Sequence, residues 1–250
     1  MPSKTKLLAV SAPRHYRLVS YAKTINPMTL NGVPVDFVPE MDHVGVVRSE
    51  TGNMPHILQR MKSHKKALMA ISPSGLAKNH RSNPCAALKV NKLYAVPVLL
   101  SGVTTLVLSK KEVNILEVYY RGIIRMLQKL PKSTPVPLIY FFAGALPLEA
   151  IIHKMQLSFF MMICHLSEDP LNAHAKFILK KSKKSISSWF QQIQQICSLY
   201  GIIDPMRLLS NPPTKLAFKN EVKLKVLQYW QDKLRNVAAM QISVRHMHLN

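Results

Sequence analysis

Acidic residues are scarce in this chain: 12 Asp and Glu stand against 34 Lys and Arg over 250 residues. Phosphoryl transfer by two metal ions needs at least two converging carboxylates to hold them. The only adjacent acidic pair is Glu168-Asp169, and Asp169, followed by Pro170, reads as a helix cap. Asp36, Glu40 and Asp42 lie close together and could bind a cation, but a solvated turn is the plainer reading. Glycine is also scarce, at 8 residues, and no GxxxxGK phosphate loop or GxSxG elbow occurs. Three cysteines, Cys85, Cys164 and Cys197, are odd in number and unpaired in spacing. They offer no disulfide framework and fit a reducing, intracellular compartment, nuclear or cytoplasmic. Cys164-His165 with His174 invites a zinc reading but lacks a CxxC or HxxxH partner, so packing between helices is expected instead.

Long apolar runs are missing as well. Leu93–Leu108 contains Pro97, Ser101, Gly102, Thr104 and Thr105, and Pro137–Leu166 is interrupted by Glu149, His153, Lys154 and Gln156. A spanning helix wants about 20 mostly apolar residues, so buried core helices and no membrane association are expected. Leu7–Val10 is too short for the apolar region of a secretion signal, and Arg14, His15 and Arg17 follow at once.

What the chain does have is apolar content, 48%, and positive charge, a formal net +22. The first allows a packed core at this length. The second would repel itself without polyanions, of which nucleic acid is the usual one. The excess is uneven: net +2 over residues 1–50, +11 over 51–130 and +9 over 131–250. The middle stretch is therefore the candidate for phosphate contact.

The first fifty residues read as short strands. Asn31-Gly32 between Met28–Leu30 and Val33–Val38 is a two-residue hairpin signal, Pro34 puts its second strand at an edge, and Val44–Val47 is a further β-branched run. From Gly52 onward the pattern is helical. Asn83-Pro84 opens an apolar helix through Leu100, and Ser109 to Glu112 is a capping box. Val113, Leu116, Tyr120, Ile123, Leu127 and Leu130 then form one stripe, while Glu117, Arg121, Arg125 and Lys129 recur every four residues on another face. Glu117 is placed to pair with Arg121. Pro131–Pro137 reads as a linker. Pro147, Asp169-Pro170, Ser187 or Ser188, Asp204-Pro205 and Asn211–Thr214 each introduce a helix. The last of these carries Phe218, Val222, Leu227, Trp230, Leu234 and Val237 on one face. Lys180, Lys181, Lys183 and Lys184 fit a solvated helix end, a phosphate patch or a nuclear import signal. The expected class is mostly α with a small N-terminal antiparallel β element, divided as 1–50, 51–130 and 131–250.

Several segments, in order, resemble the late part of LINE-type non-long-terminal-repeat retrotransposon reverse transcriptases. Pro2-Ser3-Lys4-Thr5-Lys6 resembles the NPSKTK segment at the end of the palm, Thr29–Val35 the hairpin after it, and His43-Val44-Gly45-Val46 the turn of the primer grip. Asn53–Lys66 looks like the first thumb helix. Leu93–Gly102, Gly144–Ala150, Ser187–Ile193 and Val226–Trp230 resemble the post-thumb region. Each motif alone is weak, and their collinear succession is the specific feature.

The resemblance implies a palm remnant with the primer-grip hairpin over 1–50, a helical thumb over 51–130 and a helical C-terminal region over 131–250. In the family, paired metal-binding aspartates precede the SKTK segment; here Met1 stands where the family has an interior residue. The implied protein is a truncated RNA-directed DNA polymerase, inactive in polymerisation alone, with no cofactor of its own where the parent enzyme would use magnesium. Its partners would be RNA, RNA–DNA or DNA duplex, and a palm supplied elsewhere. Lys4 matches the lysine that in the family lies near the incoming nucleotide, where it can donate a proton to leaving pyrophosphate; phosphate neutralisation serves as well. Lys6, His43, Gly45 and Arg48 would line the primer, with Gly45 allowing close approach or simply forming a bulge. Arg60, Lys62, Lys65 and Lys66 would meet phosphates from the thumb helix, and Arg121 and Arg125 would form a second row. The alternative is a stand-alone basic helical nucleic-acid-binding or interaction protein derived from such an element.

Overall fold

The computed structural model describes residues 6–8, 29–71, 83–167, 169–182 and 188–247. The fold is mostly helical, with short strands confined to the N-terminal part. Strands β1 (Lys6–Leu7) and β4 (Asp36–Phe37) pair in parallel, a departure from the antiparallel element expected. Strands β2 (Thr29–Leu30) and β3 (Val33–Pro34) form the expected hairpin, with Asn31 at φ 52° and Gly32 at φ 79°. Strands β5 (Glu40–His43) and β6 (Val46–Ser49) make a second hairpin, registered His43 to Val46 and Glu40 to Ser49.

The helices are α1 (Met54–Ile71), α2 (Pro84–Val90), α3 (Val96–Leu100), α4 (Lys110–Leu127), α5 (Val136–Ala143) and α6 (Leu148–Cys164). They continue as α7 (Pro170–Ser182), α8 (Trp189–Leu199), α9 (Pro205–Ser210) and α10 (Lys215–Met247). Their starts follow the capping chemistry of the sequence. Asn83 accepts from the Cys85 amide, Ser188 from Gln191, Asp204 from Met206 and Asp169 from Asn172. Ser109 and Glu112 close a full capping box. Gly201, at φ 63°, lies just past α8 as a left-handed stop.

Three expected helical patterns are altered. The single apolar helix over Pro84–Leu100 is interrupted by a π turn, Asn91–Ala95, in which the Val96 amide reaches back to the Asn91 carbonyl. Pro97 has no N–H to continue the ladder and its ring would crowd the carbonyl of Leu93, so the turn widens by one residue. On α4 the fully buried stripe is Leu116, Tyr120 and Ile124, not Ile123. A straight helix advances about 100° per residue, so the three- and four-residue steps drift, and packing selects the set that stays beneath its neighbours. The same holds on α10, where Val226, not Leu227, is buried with Phe218, Val222 and Trp230.

Two apolar cores result. One gathers Val46, Ile57, Leu99, Leu116, Ile124, Ile139 and Ile152; the other gathers Leu157, Phe160, Phe190, Ile193, Val222 and Trp230. Helix α6 belongs to both, with Leu148 and Ile152 in the first and Ala150, Leu157 and Phe160 in the second. Helix α5 also packs into the first core, through Ile139 and Tyr140. Among the described residues no single helix is long and apolar enough to cross a membrane; α5 and α6 reach the required length only as a pair bent by 60°.

Candidate nucleic-acid interface

The β5–β6 hairpin turns through Val44 at φ 51° and Gly45 at φ 74°, two successive left-handed residues. This is the geometry of a two-residue hairpin loop, so Gly45 forms a turn here and not a bulge. A β-branched residue is strained in the left-handed region, and Val44 is also 88% exposed. His43 and Arg48 flank this tip, both exposed.

One histidine fixes the hairpin to the helices. The Val47 amide donates to Nδ1 of His56 (3.2 Å), and Nε2–H of His56 donates to the Ser101 carbonyl (3.0 Å). These partners assign a neutral Nε2–H tautomer. Burial lowers the His56 pKa; the Ser101 bond opposes this, and Arg60 and Arg48 lower it further. Gly102, at φ 78°, lets the chain pass: a Cβ there would lie 2.7 Å from Cγ2 of Val46 and 3.0 Å from Nε2 of His56. Gly102→Ala should therefore cost about 2 kcal/mol, from left-handed strain and overpacking together. Urea denaturation measures the loss.

Helix α1 buries Ile57, His56 and His64 and turns Lys62, Lys65 and Lys66 to solvent. Nδ1 of His64 shares a hydrogen bond with the Tyr119 hydroxyl (2.9 Å), which donates to the Met61 carbonyl (3.0 Å). Its Nε2 bonds Oδ1 of Asn91 at 3.2 Å. Burial lowers the pKa of His64 too. The imidazoles thus hold α1, the π turn and α4 together and are not ligands for phosphate. Arg60 is half-buried, with its terminal NH₂ on Gln59 Oε1 at 3.0 Å.

The second row differs from expectation. Among the described residues no ion pair within 4 Å joins Glu117 to Arg121. The Glu117 carboxylate instead accepts from the Tyr140 hydroxyl and from the Glu149 amide (3.1 Å), with a further bond from the Leu148 amide. It caps the N-terminus of α6, whose own N-cap, Pro147, has no side chain that can do so. Burial raises the Glu117 pKa against these bonds and against Arg121. Arg121 is half-buried, and Arg125, also half-buried, donates to the Thr134 carbonyl at 3.3 Å. The guanidinium of Arg125 thereby holds the Pro131–Pro135 connection and is less available than the α1 lysines.

Lys6 is exposed in β1, and Lys4 lies outside the described residues. Asp36, Glu40 and Asp42 are exposed on β4 and β5. Among the described residues no three His, Cys, Asp or Glu side chains converge as metal ligands. A cleft of about 560 Å³ is lined by Glu117, Glu149, His153, Gln192, Tyr229 and Lys233, yet Glu117 is committed to α6. His153 is likewise committed: Tyr200 bonds its Nδ1 at 2.8 Å, and the Trp230 indole N–H donates to that same hydroxyl at 2.9 Å.

The buried histidines were not read from the sequence. Their signal was available in part: His56 and His64 fall two turns apart on the α1 face that holds Ile57. No protein-family model matches the chain, and neither a curated protein nor a solved structure is significantly similar to it.

Proposed function

We propose that this chain is the nucleic-acid-holding part of a LINE-type reverse transcriptase, comprising a palm remnant, primer-grip hairpin, thumb and post-thumb helices. It grips template–primer duplex and has no polymerising centre of its own. One observation carries this reading: a hairpin with a left-handed tip is locked by His56 to the start of a helix that exposes Lys62, Lys65 and Lys66. Among the described residues no ion pair within 4 Å engages these lysines. Glu112 and Glu117 are the only acids in residues 51–130, and both are used at helix starts. Lysines presented this way contact phosphates without reading bases, so binding is sequence-tolerant and salt-dependent.

Lys4, Lys6, His43, Gly45 and Arg48 belong to the primer side of this reading, and Arg60, Arg121 and Arg125 back the thumb face. Magnesium and the catalytic aspartates would come from a palm on another polypeptide or from a longer chain; Asp36, Glu40 and Asp42 do not converge to replace them. The place of action would be the nucleus or cytoplasm. A stand-alone basic nucleic-acid-binding module is the second reading. It is favoured by the way α6 knits both cores into one body.

The test is binding of an RNA–DNA hybrid across a salt series. Lys62→Ala/Lys65→Ala/Lys66→Ala should weaken binding and reduce the slope of log K against log salt by about 2–3. An unchanged slope would remove the α1 face from the interface. In a primer-extension assay with template, nucleotides and magnesium, the chain alone should add nothing; robust extension would overturn the proposal.

A further inference from the structure

An apolar groove of about 500 Å³ opens between α5 and α10, which pack against each other. Leu138 and Phe141 line it from α5, and Leu227, Leu234 and Ala238 line it from α10. On α10 the lining positions are Leu227, Gln231, Leu234 and Ala238, steps of four, three and four that keep to one helical stripe. The stripe rises along α10 by about 16 Å, at about 1.5 Å per residue, so the groove is about three turns long. Gly144, at the end of α5, also lines it, and a Cβ placed there would meet nothing within 4 Å. That end of the groove is open.

The outer face of α5 continues this apolar surface. Leu138, Phe141 and Phe142 share one helical face and are all exposed, Phe141 at 77% and Phe142 at 56%. The two phenyl rings meet edge to face at 5.8 Å. Contiguous exposed apolar surface of this kind marks an interaction site. The charge around it has one sign. Arg235 is the only charged side chain lining the groove among the described residues. Its partner, Asp232, lies 3.6 Å away with both side chains exposed, so the pair is loose and readily exchanged. Residues 118–148 contain four cations, Arg121, Arg125, Lys129 and Lys132, and no acid. Arg125 is held near the start of α5 by its bond to the Thr134 carbonyl.

We propose that this groove docks an acidic amphipathic helix of a partner protein. The helix seats apolar side chains at i, i+3 or i+4 and i+7 between α5 and α10 and sets a carboxylate on Arg235. Charge complementarity selects this occupant. A second copy of the chain is the weaker match, because it carries the same net +22 and none of the described helices contains more than two acids. An anionic membrane is weaker too. A flat lipid surface can meet Phe141 and Phe142 but not Leu234, which is half-buried against the first core. Nucleic acid finds a single cation on an otherwise uncharged lining. The groove uses different elements from the α1 face and stands whether or not that face grips duplex.

The experiment selects from a phage-displayed library of helical peptides, about 14 residues long, on the full chain, with depletion on its Phe141→Ser variant. The variant keeps the net charge, so depletion removes peptides held only by the excess of cations. Enriched peptides should be acidic and carry apolar residues at helical spacing. Made synthetically, they should bind Phe141→Ser at least about tenfold more weakly and Arg235→Gln about two- to fivefold more weakly. Both positions are exposed, so neither change touches the core; if Phe141→Ser fails to fold, Ala238→Gln, which narrows the groove from α10, carries the same comparison. RNA–DNA hybrid affinity should be the same for all the variants, so this proposal and the α1 interface fail separately. No enrichment, enriched peptides without acids, or equal binding to parent and variants overturns the proposal. So does self-association of the chain, or binding to phosphatidylserine vesicles, that Phe141→Ser abolishes while peptide binding stays.

Discussion

Glu117→Ala is expected to lower the free energy of unfolding by about 3–5 kcal/mol, one of the two largest effects foreseen for a single side chain. The carboxylate accepts from the buried Tyr140 hydroxyl and from the first amides of α6. Removing it orphans these donors, and hydrogen bonds to a charged acceptor are worth roughly 1.5–3 kcal/mol each. The consequence spreads because α6 supplies side chains to both cores. Glu117→Gln keeps one acceptor oxygen and should recover part of the loss. Urea unfolding of the two variants gives the comparison; an alanine variant within about 1 kcal/mol of the parent would mean that water satisfies the α6 amides.

The second large effect is with pH. His153 is buried and neutral in the fold, its pKa lowered from 6.5 to about 4, first by burial and then by Lys233. The unfolded chain binds the proton more readily, so the stability this group contributes is fully present above pH 6.5 and is lost as the pH falls toward 4. The full span is about 3 kcal/mol at about 1.4 kcal/mol per pKa unit. A proton added at Nδ1 would also set an N–H against the Tyr200 hydroxyl, disturbing the Trp230 bond beyond it. His56 and His64, whose pKa values are also lowered, act in the same direction. Glu117 acts oppositely, because its raised carboxyl pKa favours the fold below its titration. Unfolding measured from pH 7 down to 4 should show stability falling throughout, and His153→Gln should flatten the curve. A variant that loses stability as steeply as the parent would acquit His153.

The sequence by itself determined the local structure. Asn83, Asp169, Asp204 and the Ser109–Glu112 pair set helix starts because each supplies a side-chain acceptor for amides that the helix leaves unpaired. Asn31-Gly32 set its hairpin because both residues tolerate positive φ. The excess of positive charge and the α1 lysines were likewise legible, being properties of composition and of one helical face. Only the tertiary structure decided which long-range partners the polar residues took. Glu117 has Arg121 one turn away, yet its carboxylate goes to α6, where buried amides lack any other acceptor. Spacing along α4 does not reveal Leu148 and Glu149, which meet Glu117 only when α5 and α6 fold back onto α4. The same reason hid the histidine clamps: a periodic pattern assigns residues to a face, and packing alone decides what that face meets.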